Sequence, residues 1–140
     1  MWARSEEQLE FVEAANREFS TLSEYVDRDQ HAEVRAAVGS ARYLVETVSL
    51  RDLLQSHQAP HTIDYLSVDT EGSEFEILDH FDFDKYAIKI MTVEHNELAE
   101  NRARIYQLLT RNGSIRVLDH LSRIEDWYVH RDVLVDIERS

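Results

Sequence analysis

The amino-acid sequence predicts an α/β protein built on a mostly parallel β-sheet. The first observation is the run at residues 63–68, which is apolar with few polar breaks, as in a strand covered on both faces. The second is the acidic turn at residues 69–72, after which apolar residues return at helical spacing. The third is another apolar run at residues 88–93, which is followed by the polar residues 94–96. This order of elements is how α/β proteins build sites at the carboxyl ends of their strands.

The N-terminal part of the chain carries weaker signals. Residues 9–11 alternate as in a short strand, and we expect this strand, although residues 5–8 also fit a helix-capping box. Residues 27–38 are polar without an apolar stripe, so we expect a loop or exposed turn that ends at Gly39. His31 lies in this segment, where we expect it to be solvated.

The remaining elements follow from apolar periodicity. Ser49 is the expected N-cap of a short helix, because its hydroxyl can accept a backbone N–H of the first turn. Gly113 is the expected C-cap of a longer helix. In chain order we expect a strand at 43–48, a helix at 50–56, a helix from the acidic turn to about 80, a helix at 101–112, and strands at 114–118 and 127–129.

The composition indicates a single globular domain. The 140 residues carry a formal charge of −13, and a field of this sign repels nucleic-acid phosphates and anionic membranes. The absence of cysteine excludes disulfides and thiolate metal sites, and no apolar stretch approaches the length of a membrane span. We therefore expect a cytoplasmic protein without a nucleic-acid or membrane partner.

The glycine content limits how a nucleotide cofactor can bind. The chain has three glycines, Gly39, Gly72 and Gly113, and they lie far apart. Nucleotide-binding α/β folds normally cradle the cofactor in a glycine-rich loop after a first strand, with an acid beyond it for the ribose. This sequence contains neither feature.

Three blocks of sequence resemble the signature of the FkbM-type methyltransferases, which transfer a methyl group from S-adenosylmethionine. They are, in order, residues 64–74 (DYLSVDTEGSE), 92–96 (TVEHN) and 126–130 (DWYVH). The resemblance is best over residues 42–140. It implies a partial Rossmann-like fold in which the last two strands form the antiparallel edge. Because the glycine-rich loop is missing, it also implies that residues 1–140 are a single domain, the C-terminal part of a methyltransferase domain without its first strands.

The resemblance further implies that the two polar turns face one crevice, which holds the cofactor and the acceptor. We assign cofactor binding to Asp69, Thr70, Glu71 and Gly72, catalysis to Asp69, Glu71 and His95, and acceptor binding to Glu94 and Asn96. The alternative for Asp69 and Glu71 is that they only cap the following helix, whose N-terminus attracts acids. The alternative for His95 is a buried core histidine.

The acidity of the acceptor constrains these roles. An aspartate has a pKa of about 3.9 and water, which stands in for an alcohol, about 15.7, so complete deprotonation before attack would be uphill by roughly 16 kcal/mol. The proton must therefore leave as the methyl group transfers, and His95 is the better-matched base. The oxygen and nitrogen donors would suit Mg²⁺ or Mn²⁺, but their spacing matches no recognised metal motif and we expect no metal.

The resemblance implies an S-adenosylmethionine-dependent methyltransferase that methylates a hydroxyl of a small-molecule acceptor, a sugar or secondary metabolite. The rival interpretation is a truncated, non-catalytic domain acting in packing or protein interaction. A hydrolase using the paired acids has no nucleophile motif to support it. For the chain by itself we expect weak or no binding of S-adenosylmethionine. We also expect self-association or pairing with a separately encoded N-terminal half, because the central strand would lack a neighbour.

Overall fold

A computed structural model describes residues 1–14, 20–23 and 40–138 of the chain. The predicted loop at residues 27–38, together with His31 and Gly39, lies outside the described residues. The strands and helices of the described residues are, in chain order, β1 (Gln8–Ala14), β2 (Thr21–Leu22), β3 (Ser40–Glu46), α1 (Leu50–Ser56), β4 (Thr62–Val68), α2 (Glu74–Asp79), β5 (Ala87–Glu94), α3 (Ala99–Arg111), β6 (Ser114–Val117), β7 (Glu125–His130) and α4 (Arg131–Glu138).

The first three strands form a small antiparallel sheet in the order β2-β1-β3. β1 pairs with β3 over its whole length, and two of its residues also pair with β2. This pairing confirms the strand predicted at residues 9–11 and excludes the alternative helix. The strand predicted at residues 43–48 is present as β3, which begins at Ser40 and ends at Glu46.

The other four strands form a sheet in the order β4-β5-β7-β6. β4 and β5 run parallel, with Ile63 opposite Ile88 and Val68 opposite Val93. This confirms that the two apolar runs are neighbours, so their polar ends meet at the same edge of the sheet. β7 pairs antiparallel with both β5 and β6, which confirms the antiparallel edge.

The four-strand sheet is mixed, and the prediction of a mostly parallel sheet is wrong for the described residues. Among them β4–β5 is the parallel pair, whereas the pairings of β7 with its two neighbours are antiparallel. The physical reason is that β3 satisfies its backbone hydrogen bonds with β1 in the separate sheet and does not extend the parallel pair. Within the described chain, β4 is therefore an edge strand with β5 as its partner.

The apolar sequence of β4 predicted a strand covered on both faces, and this prediction is wrong because one face of β4 is exposed. Tyr65 is 53% exposed, and it begins a row of side chains that crosses the sheet: Tyr65 lies opposite Ile90, Ile90 opposite Val129, and Val129 opposite Ile115. Ile90 and Ile115 are also exposed. We call these four residues the apolar row. An apolar run therefore indicated a strand correctly, but it did not indicate what covers that strand.

The main core is formed by the four-strand sheet and the helices packed on it. Its buried members come from β4 and β5, from β7, and from α1, α2 and α3, and include Leu50, Val68, Ile77, Leu78, Met91, Val93, Ile105, Leu109 and Tyr128. This packing orients β4 and β5, and hence the two turns that follow them. No helix in the described part of the chain is long and apolar enough to cross a membrane.

Ser49 caps α1, as the sequence predicts. Its Oγ accepts the backbone N–H of Asp52 at 3.1 Å, and its own N–H donates to Ser5 Oγ at 2.9 Å. Ser5 Oγ in turn donates to Asp52 Oδ2 at 2.6 Å. The N-terminal segment is thus attached to α1 through the helix cap.

Replacing Ser49 with Ala is expected to lower the free energy of unfolding by about 1–2 kcal/mol, because the N-cap acceptor is lost. The matched control is Ser56→Ala at the exposed C-terminal end of α1, where the hydroxyl donates to the Leu53 carbonyl oxygen and caps no backbone N–H of the first turn. Urea denaturation of both variants measures the difference. Equal loss of stability in the two variants would contradict the capping role.

Candidate functional site

The turn between β4 and α2 carries the candidate site. Glu71 has a φ of +57° and Gly72 a φ of +115°, a region that strongly favours glycine. Thr21 in β2 donates a hydrogen bond from its hydroxyl to the Glu71 carbonyl oxygen at 2.8 Å. The small sheet therefore contacts the turn directly.

A buried carboxylate holds the turn in shape. Glu74 is fully buried, and its Oε1 accepts the Thr70 N–H at 2.8 Å, the Thr70 hydroxyl at 3.0 Å and the Gly72 N–H at 3.1 Å. Burial raises the pKa of Glu74, and these hydrogen bonds oppose that shift. We assigned no role to Glu74 from the sequence. The signal that could have found it is its position as the first residue of α2, where a side chain can reach back to the N–H groups of the preceding turn.

Three carboxylates meet beside this turn. One oxygen of each of Asp69, Glu71 and Glu94 lies within 4.8 Å of the others. Asp69 is exposed, Glu71 is half-buried and Glu94, at the end of β5, is buried. The cluster joins the ends of the two parallel strands, as the sequence predicts for these residues. Three oxygen donors at this spacing could also hold a divalent cation.

The crowding of negative charge changes the acidity of Glu94. Burial, a hydrogen bond to Asp69, and the charges of Asp69, Glu71 and Glu74 raise the pKa of Glu94 to about 8. Glu94 is therefore protonated at neutral pH and can donate a hydrogen bond to Asp69. Asn96 Nδ2 donates to Glu94 Oε2 at 3.1 Å, which helps to fix the Glu94 side chain.

His95 is directed toward a different set of groups. Its Nδ1 accepts the Glu97 N–H at 3.1 Å, so the ring proton of the neutral form is on Nε2. Nε2 lies 3.8 Å from Asp126 Oδ1 and has no hydrogen-bond partner in the described part of the chain. Burial lowers the pKa of His95, against the attraction of Asp126. The structure therefore does not bring His95 to the carboxylate cluster, and its role as base stays a prediction.

Asp126 is a buried carboxylate at the centre of an ionic cluster whose arginines are partly exposed. Arg102 binds it with two nitrogens, Nε at 2.9 Å and Nη2 at 2.6 Å, and Arg116 Nη1 lies at 3.4 Å. Burial alone would raise the pKa of Asp126, but the Arg102 hydrogen bonds hold it below its usual range. Arg102 is far from Asp126 in sequence, and we did not predict this pair.

A groove of about 740 Å³ opens between the small sheet and the acidic turn. Its size lies within the range of small-molecule sites. Phe11 and Tyr43 are neighbours in the small sheet, with ring centres 5.7 Å apart at a tilt of 54°. The lining residues are Met1, Phe11, Ser20, Thr21, Leu22, Tyr43, Val45, Glu46, Thr47, Asp69, Thr70, Glu71 and Ser73. The sequence motifs predicted the turn but not the aromatic wall, because the wall depends on the pairing of β1 with β3.

The fold and the turn define an α/β protein with an acidic site at the carboxyl ends of two parallel strands. A model of the methyltransferase FkbM domain matches residues 2–116, and the chain belongs to this family. This confirms the resemblance drawn from the three sequence blocks. The match includes the blocks at 64–74 and 92–96, whereas residues 126–130 lie beyond it. No curated protein and no solved structure matches the chain.

As the pH rises, the chain is expected to lose stability, and replacing Glu94 with Gln is expected to remove much of this loss. The pKa of Glu94 in the folded state is about 8 against an ordinary value of 4.5. Between these values the folded state keeps a proton that the unfolded state has released, so the free energy of unfolding falls with increasing pH. Gln keeps a hydrogen-bond donor toward Asp69 without carrying a titrating proton.

Urea denaturation at both ends of this pH window measures the effect. The control is Glu100→Gln, an exposed acid at the start of α3, which should keep the pH dependence of the unsubstituted chain. A Glu94→Gln variant whose stability falls as steeply with pH as that of the unsubstituted chain would show that Glu94 is ionised in the folded protein.

Proposed function

We propose that this chain is part of an S-adenosylmethionine-dependent methyltransferase that methylates a hydroxyl group of a sugar or secondary metabolite. The observation that carries the proposal is the convergence of Asp69, Glu71 and Glu94 at the carboxyl ends of β4 and β5, in a chain of a methyltransferase family. In open α/β sheets, this edge is where ligands bind. The groove beside the turn supplies the necessary volume.

The side chains at the turn fit a cationic methyl donor. S-adenosylmethionine supplies an electrophilic methyl group on a positively charged sulfur. The described residues that line the groove include carboxylates and no Lys, Arg or His, so the local field attracts such a cation. We assign donor binding to the turn residues Asp69, Thr70, Glu71 and Gly72. Gly72 lets the backbone approach a ligand closely.

We assign the acceptor hydroxyl to Asp69, which is exposed at the groove. Its carboxylate accepts the hydrogen bond of the hydroxyl and would take the proton as the new oxygen–carbon bond forms and the carbon–sulfur bond of the donor breaks, with the neutral thioether S-adenosylhomocysteine as the leaving group. The protonated Glu94 donates a hydrogen bond to Asp69, which keeps the two carboxyl groups at short range. Glu94 and Asn96 complete the acceptor side of the crevice. In this scheme most of the acceleration comes from positioning the two reactants.

In this scheme His95 does not take the proton of the acceptor hydroxyl. It holds neighbouring residues in position. Its Nδ1 is engaged by the Glu97 N–H, and its Nε2 faces Asp126 in the interior. The ring therefore supports the backbone just after β5, next to Glu94.

A non-catalytic domain is the second candidate function, and one sequence observation favours it. The chain has three separated glycines and no glycine-rich loop for a nucleotide cofactor. In that case the acidic turn has a packing role, and the chain takes part in an assembly. The described pairing of β4 with β5 alone is consistent with association through the other edge of β4, by self-association or with an N-terminal half on another polypeptide.

The chain by itself is expected to bind S-adenosylmethionine weakly or not at all, because it lacks the glycine turn and the ribose-binding acid. Calorimetric titration, with light scattering to determine the oligomeric state, measures this. Micromolar binding by a monomer would show that the acidic turn and the groove are sufficient for the donor.

Asp69→Asn is expected to lower methyl transfer by about 10²-fold or more, since a group that acts at the transition state typically contributes several kcal/mol. The assay uses the chain together with the polypeptide encoded immediately upstream and S-adenosylmethionine labelled in its methyl group. The control is Asp79→Asn, an exposed acid at the end of α2 that lies outside the groove. Thermal unfolding of both variants should remain similar.

Two other results would change the assignment. If Asp69→Asn kept its activity but unfolded at a lower temperature, the residue would be a helix-end cap. If the unsubstituted chain transferred no methyl group, either alone or together with the upstream polypeptide, the non-catalytic alternative would be supported.

A further inference from the structure

We propose that the groove selects acceptors without anionic groups, neutral or amino-substituted sugar rings, and that Tyr43, Phe11 and Glu46 of the small sheet determine this choice. The inference rests on the proposed function, because it assigns the acceptor of that same site. It adds specificity residues from the small sheet, which supplies none of the carboxylates of the acidic turn. Tyr43 and Glu46 are in β3, and Phe11 is in β1.

The charge of the groove is the first argument. Its described lining contains Glu46, Asp69 and Glu71, and no Lys, Arg or His. A phosphate or carboxylate on the acceptor would meet these acids without a cationic side chain among the described lining residues. The nearby Arg42 does not change this, because it is paired with Glu10 at 2.8 Å. An ammonium group is attracted, and an uncharged hydroxyl finds hydrogen-bond acceptors.

The aromatic wall is the second argument. Tyr43 is 44% exposed and lies against Phe11, so an aromatic surface borders the groove instead of being covered by the core. A sugar ring has an apolar face of C–H groups and a rim of hydroxyls. Aromatic side chains beside a small number of polar groups are therefore suited to such a ring.

The third argument is that the polar groups of the small sheet are available. The carboxylate of Glu46 and the hydroxyl of Tyr43 make no hydrogen bond or ion pair with another described residue, and Glu46 is exposed. The hydroxyls of Thr47 and Ser20 are already engaged, with the Arg4 carbonyl oxygen and the Ala14 N–H. Glu46 and Tyr43, which line the groove together with Asp69, therefore remain to bind hydroxyl or amino groups of a ligand.

The groove also has a fixed relation to the acidic turn. The Thr21 hydroxyl bonds the Glu71 carbonyl oxygen at 2.8 Å, and Thr21 and Glu71 both line the groove. A ring stacked on Tyr43 is thus in the same groove as Asp69, which takes the acceptor hydroxyl in the proposed reaction.

The test compares three probes of nearly equal shape: methyl glucoside, glucosamine and glucuronic acid, which are neutral, cationic and anionic. Ligand-observed saturation-transfer NMR with the whole 140-residue chain measures binding of each without a methyl donor. We expect the neutral and cationic probes to bind, and glucuronic acid to bind at least about tenfold more weakly. Tyr43→Ala should weaken binding of methyl glucoside and of glucosamine by about tenfold. Glu46→Gln should weaken glucosamine more than methyl glucoside.

Leu44→Ala is the matched control for Tyr43→Ala. Leu44 is the next residue in β3 and is 68% exposed, but it does not line the groove. Thermal unfolding shows whether each variant is folded, and Tyr43→Phe, which keeps the ring but loses the hydroxyl, should weaken binding less than Tyr43→Ala does. The proposal is overturned if no probe binds, if glucuronic acid binds as tightly as methyl glucoside, or if Tyr43→Ala and Leu44→Ala behave alike. Failure of methyl transfer would overturn the proposed function instead, and leave these binding results unchanged.

Discussion

The buried carboxylate of Glu74 is the constraint on which the candidate site depends. It gathers the N–H and hydroxyl of Thr70 and the N–H of Gly72 onto one oxygen, and so bends the chain sharply after β4. This bend places Asp69 and Glu71 beside Glu94 of the neighbouring strand. A fully buried acid is costly unless it is hydrogen-bonded, and here the turn that it shapes supplies the hydrogen bonds to Oε1, whereas Oε2 has no hydrogen-bond partner among the described residues. The acidic cluster therefore depends both on strand pairing and on the hydrogen bonds that the backbone N–H groups of the turn make to Glu74.

The end of β5 separates two electrostatic environments. Successive side chains along an extended chain point to opposite sides, so Glu94 faces Asp69 and Glu71 of the acidic turn whereas His95 faces Asp126. On the side of the acidic turn, like charges are accommodated by keeping Glu94 protonated. On the inner side, Asp126 is ionised because Arg102 binds it at two points. The end of β5 therefore lies between an accessible acidic site and the ion pair of Asp126 with Arg102.

The parallel pair and the acidic turn could be predicted from sequence because both are local. An apolar run of strand length, an acidic turn and a helix pattern occur within a short stretch, and two such units belong side by side. Grouping His95 with Glu94 was less secure, since adjacency in sequence ignores the alternation of a strand. The Arg102–Asp126 pair and the Phe11–Tyr43 wall join residues that are far apart in the chain. Their positions depend on pairing and packing that no local pattern encodes.

The apolar row across the four-strand sheet affects how the stability of the chain varies with temperature. Tyr65, Ile90 and Ile115 are hydrated in the folded chain, so unfolding changes the hydration of their surface less than it would for covered residues. Exposure of apolar surface is the source of the positive heat-capacity change of unfolding, typically about 12–15 cal/mol/K per residue. The exposure of these three side chains therefore lowers the heat-capacity change of the chain alone and flattens its stability curve. A polypeptide that covered the row would make the curve steeper, and cold as well as heat would then weaken the assembly.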